Sequence, residues 1–138
     1  MIYSVEIQIT TPVHDTEITD RVEDAVQNLF PNVTFEQHPG EIIGETHSLE
    51  EFAVLLHEQE ILDTARREFF KHANDESFRF SIKKQAAFKG IINFAVGNPD
   101  ELGDIEVTVI VHEPDVESYI DHTVPPTEDG QPQPVDAE

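Results

Sequence analysis

The chain has 138 residues, no Cys, and 29 Asp and Glu against eight Lys and Arg, for a formal net charge of −21. That length is one domain's worth, and the missing cysteines exclude a disulfide framework, a thiolate zinc site and a cysteine nucleophile. So large a charge destabilises a compact state at ordinary ionic strength, while the apolar periodicity below argues against simple disorder.

Molar salt reconciles the two, because the Debye length falls to ~3 Å at 1 M. The acidity therefore reads as halophilic surface adaptation, with a protein that binds basic partners or buffers metal as the lesser alternative. The opening MIYSVEIQIT lacks the basic segment and long apolar core of a signal peptide. No run approaches the ~18 apolar residues of a membrane span, so a cytoplasmic location with no membrane partner is expected.

Residues 2–10 alternate, with Tyr3, Val5, Ile7 and Ile9 on one face, and predict a half-buried strand ended by Pro12. From an N-cap at Asp15 or Thr16, the helical spacing of Ile18, Val22, Ala25, Val26, Leu29 and Phe30 predicts a helix stopped by Pro31. Two short strands, 33–37 and 41–47, flank the turn His38-Pro39-Gly40. Ser48 and Glu51 match a capping box, opening a helix to about residue 72 with a bend at His57–Glu60. It carries Phe52, Leu55, Leu56, Leu62, Ala65 and Phe69 inward.

Two strands are predicted next, 77–84 and 88–96, joined through Gln85-Ala86-Ala87. The first buries Phe78, Phe80 and Ile82, the second Phe88, Ile92, Phe94 and Val96, leaving Arg79, Lys83, Lys89, Ile91 and Asn93 outside. After a loop from Gly97 to Gly103, a strand over 104–112 buries Ile105, Val107, Val109 and Val111. A short helix follows with Pro114 at its first position. The order predicts one α+β domain over 1–124, a mostly antiparallel sheet with helices on one face. The Pro-rich acidic tail, 125–138, is expected to be disordered.

Catalytic signatures are missing from this sequence. His57-Glu58 lacks the second His of a zinc-protease helix, and no glycine precedes a GKS or GKT. A GxSxG elbow is absent too. Asp100 to Asp104 lacks the alternating ligands of a calcium loop. Glu45 and His47 share a strand face, a pair more often solvated surface than part of a metal site. No catalytic residue, metal or cofactor is expected, and the protein reads as a non-enzyme.

The cations are more informative. Arg66, Arg67, Lys71, Arg79, Lys83, Lys84 and Lys89 are seven of the eight, within a 24-residue window holding three acids. The window is net +4, the rest of the chain −25. Either these residues are internal salt-bridge partners, or they form an anion-binding surface with RNA phosphate as ligand. Counterion release contributes little in molar salt, so recognition there needs hydrogen bonds, shape and stacking. With the central Phe residues assigned to the core, structured RNA held by backbone and shape contacts is the expected ligand.

The segments SLEEFAVLLHEQEILDTARREFF (48–70), FSIKKQAAFKGIINFAV (80–96) and LGDIEV (102–107), above all QEILDTAR and KKQAAFKG, resemble an archaeal family of predicted RNA-binding proteins. That family is similar in fold to the 5S-rRNA-binding ribosomal protein of the large subunit, and this chain looks like a haloarchaeal-type member. The resemblance covers residues 2–123. It implies a homodimer, RNA rather than DNA as partner, no catalytic residues, and a related branch linked by prediction to the exosome. On matching positions it adds Gln85 and Asn93 to the cations as RNA-binding residues. The alternative is a dimeric assembly module without RNA, packing Thr108, Ile110 and Ile91 of an open sheet face against a partner.

Overall fold

A computed structural model describes residues 2–95, 103–128 and 131–132. The predicted alternation is realised in β1 (Ser4–Pro12), where Val5, Ile7, Ile9 and Thr11 face the core. Pro12 ends this strand as expected, as its last paired residue, opposite Glu41. With β2 (Thr34–His38), β3 (Glu41–Thr46), β4 (Ser77–Lys83) and β5 (Asp104–Glu113) it forms one antiparallel sheet ordered β2-β3-β1-β5-β4. One face is apolar because strand side chains alternate; the helices cover that face.

Helix α1 (Thr19–Leu29) buries Val22, Ala25, Val26 and Leu29 but is preceded by Ile18, not capped by Asp15 or Thr16. Residues 14–17 instead fold on themselves, with Glu17 N donating to His14 O and His14 N to Glu17 Oε1. The single helix expected to reach residue 72 is two, α2 (Glu50–Glu58) and α3 (Leu62–Lys71). They part at Glu60, which has a left-handed φ of 59°. The capping box does not form: Ser48 Oγ accepts from Glu50 N, and Glu51 Oε1 accepts from Asn32 Nδ2. Phe69 centres the core, its ring 4.6 Å from Phe80, 4.8 Å from Phe78 and edge-on to Phe94.

Among the described residues, 88–95 form no strand where one is predicted over 88–96. Lys84–Ala87 is a helical turn, α4, followed by a bend at Gly90, where φ is 72°. The returning chain meets β4 through the Ile82–Phe94 bridge, Lys83 N to Asn93 O, Ala95 N to Ser81 O, and the Phe94 ring edge-on to Phe80. Gln59, in the break between α2 and α3, fixes this segment by donating to Gly90 O and accepting from Ile92 N. Ile92 and Phe94 are buried as expected; Phe88 is not.

Helix α5 (Val116–Thr123) starts after Pro114, with Asp115 accepting from Ser118 N as its cap. Thr127–Glu128 and Gln131–Pro132 pair as two short strands, β6 and β7. Thr127 Oγ1 donates to Asp63. The expectations for Val96, most of the 97–103 loop, and 129–130 and 133–138 of the tail lie outside the described residues.

Candidate nucleic-acid interface

Of the seven clustered cations, two are built into the fold. Lys84 is 0% exposed; its Nζ donates to Pro12 O at 2.6 Å and to Glu17 Oε1 at 2.9 Å, joining α4 to the end of β1 and the approach to α1. Arg66 pairs with Asp121 at 2.7 Å, donates to Val124 O at 3.0 Å and lies over the Phe70 ring, 4.9 Å from its centroid. It ties α3 to α5. A polyanion reaches neither as it reaches a free surface cation.

The other five are more accessible. Arg67, Lys71, Arg79 and Lys89 are exposed and Lys83 is half-buried. Among the described residues none of the five side chains forms an ion pair or hydrogen bond. They surround β4. Arg67 and Lys71 lie on the preceding helix, Arg79 and Lys83 on the sheet face that helices leave open, and Lys89 in the turn beyond α4. Arg79 stands opposite Thr108 and Lys83 opposite Asp104; between them Ser81 donates to Glu106 Oε2 at 2.6 Å. Gln85 and Asn93 are exposed at the same end of β4 as Lys89.

Two aromatic side chains are exposed that the sequence pattern does not mark as surface groups. Phe88 is 41% exposed and Phe70 38%. The strand assignment placed Phe88 inward; the helix-favouring Gln85-Ala86-Ala87 followed by Gly90 was the available signal for a turn instead.

Elsewhere the open face is acidic and histidine-rich. Glu36 meets His38 at 3.4 Å, Glu45 meets His47 at 3.3 Å, and Glu6 meets His112 at 2.8 Å. Among the described residues no three His, Asp or Glu side chains are grouped to hold a metal ion. Ile110 is 39% exposed on this face with Thr108 beside it. Ile91 is exposed in the turn after α4 rather than on the sheet. No helix among the described residues is long and apolar enough to cross a membrane.

A family model described as RNA binding matches residues 6–112. A UPF0201 protein of Methanopyrus kandleri is 40% identical over 141 residues, covering 91% of this chain and 88% of the relative. A UPF0200/UPF0201 protein of Archaeoglobus fulgidus is 38% identical over 130 residues; there the match spans 94% of this chain but only 40% of the relative. The crystal structure of a UPF0201 protein from Methanococcus jannaschii superposes with a TM-score of 0.86 at 32% identity, over 94% of this chain and 99% of that one.

Proposed function

The chain belongs to the archaeal UPF0201 family, with an RNA-binding domain over most of its length, and from that premise we propose that it is a non-enzymatic protein contacting structured RNA around β4. Arg67, Lys71, Arg79, Lys83 and Lys89 supply the cations, with Gln85 and Asn93 as neutral hydrogen-bonding groups. Arg66 and Lys84 hold the elements that present them. One observation carries the reading: in a chain with 29 acids, five cations close together in sequence remain without an acidic partner among the described residues. Surface charge optimised only for the folded chain would pair them.

The acidity of the rest fits a halophilic cytoplasm, and the similarity read from the sequence to a family with the fold of the 5S-rRNA-binding ribosomal protein supports structured RNA as the ligand. Filter binding to total cellular RNA in molar KCl tests the site. Replacing Arg79, Lys83 and Lys89 together by Gln should weaken binding about a hundredfold, at roughly 1 kcal/mol per lost hydrogen bond. Unchanged affinity in that variant sinks the assignment. The exposed Ile110 on the uncovered sheet face favours a second reading, a homodimer packed through that face. Sedimentation of the wild type and of Ile110→Glu distinguishes the two, since only the second reading requires the substitution to split a dimer.

A further inference from the structure

The exposed rings answer a question that charge leaves open, namely which part of an RNA the protein holds. Phe88 and Phe70 are the two Phe or Tyr residues with the most exposure among the described residues. Single exposed hydrophobic residues are ordinary; the placement of these two is not. Both fall within the 24-residue window that carries seven of the chain's eight cations. They flank β4, one just before the end of α3 and one just after α4, so the seven-residue strand between them spans about 20 Å.

Each ring has the surroundings of a stacking platform. Arg66 lies over Phe70 and is itself fixed by Asp121 and Val124 O, so that ring is held from one side and partly exposed. Phe88 follows Gln85 and Ala87 on a turn stopped by Gly90, with Lys89 adjacent and Asn93 exposed at the same end of β4. Amide side chains both donate and accept, as base edges require. Ile91 is also exposed in this turn, and the neighbouring Lys89, Gln85 and Asn93 make its surroundings polar.

We infer that unpaired bases of the RNA stack on Phe88 and Phe70, so that the protein grips loops and bulges of a structured RNA rather than its paired stems. The inference rests on the RNA-binding reading above. Its chemistry suits a screened environment: phosphate contacts weaken steeply with salt, whereas a base on an aromatic face keeps most of its binding energy. Sequence-specific RNA binding generally uses bases splayed out of the helix in this way.

The test uses an RNA hairpin carrying 2-aminopurine in its loop, the same hairpin with 2-aminopurine in its stem, and a blunt duplex of about 16 base pairs, the length a duplex-reading domain spans. All are titrated with the full chain in molar KCl. Stacking predicts quenching of the loop probe, an unchanged stem probe and weaker binding of the duplex. Phe88→Leu and Phe70→Leu, which retain apolar bulk, should each weaken hairpin binding about tenfold and diminish the quenching, while Phe88→Tyr retains both. A hairpin bound without loop quenching, or bound by both Leu variants as tightly as by the wild type, overturns the stacking inference and leaves the RNA reading standing. Failure of the wild type to bind hairpin and duplex alike overturns the RNA reading, and the inference with it.

Discussion

Replacing Lys84 by Met is the most direct check on how the cations divide between scaffold and surface. The ammonium is fully buried, and its removal leaves the Glu17 carboxylate in a site only 7% exposed. Oε1 of Glu17 keeps the His14 N–H at 3.0 Å, but Oε2 is buried without a hydrogen-bond partner among the described residues. Removing one member of a buried pair costs about 3–5 kcal/mol, chiefly through the stranded charge. At roughly 3 °C per kcal/mol for a chain of this size, the melting temperature should fall by about 10–15 °C.

Urea unfolding of Lys84→Met, Glu17→Gln and the double variant completes a cycle. The double variant should recover more than half of the loss, because the Glu17 carboxylate is then no longer stranded. A loss below about 1 kcal/mol in Lys84→Met would refute the buried pair. Stability as predicted but RNA affinity lost at temperatures where the variant is folded would instead return Lys84 to the interface.

Two other outcomes follow from the same structure. Burial raises the Tyr119 hydroxyl above its usual 10.0, opposed in part by the hydrogen bond it accepts from Leu49 N. Folded and unfolded chains are both neutral at this group well below pH 10, so its contribution is fully present there and is lost as pH rises through the folded value. Tyr119→Phe should remove that alkaline loss in a stability–pH series and cost about 1 kcal/mol at neutral pH through the unpaired Leu49 N–H. Gly44→Ala would place its Cβ 2.7 Å from Val33 Cγ2 and 3.4 Å from Phe35 Cε1. Urea unfolding should show a loss of about 1–3 kcal/mol, as for other overpacked core positions.

The sheet was legible because one face is buried, which forces the alternation of Val5, Ile7 and Ile9 on β1 and of Phe78, Phe80 and Ile82 on β4 into the chain itself. Where the structure departs from that reading, distant side chains decide. The run from Phe88 to Val96 alternates well enough for a strand, yet Gln59 holds Gly90 and Ile92 from 31 and 33 residues away. The break after α2 depends on Glu60 taking a left-handed conformation, which its residue type does not announce. The cation cluster was legible as composition, but Lys84 is set apart by Glu17, 67 residues distant, and Arg66 by Asp121. Periodicity cannot read such pairings.

Salt separates the two groups of cations by physics rather than by position. A Debye length near 8 Å at physiological ionic strength and ~3 Å at 1 M screens exposed charges but acts much less on buried ones. The contribution of Lys84 and Glu17 to stability should therefore persist across a KCl series, while the Coulombic share from Arg67, Lys71, Arg79 and Lys89 in binding fades. Whatever affinity survives must come from directional hydrogen bonds and from stacking. This is why the exposure of Phe70 and Phe88 bears more on the function than the +4 of the window around them. On the binding mode proposed above, the cations orient the approach and, in molar salt, the rings provide the grip.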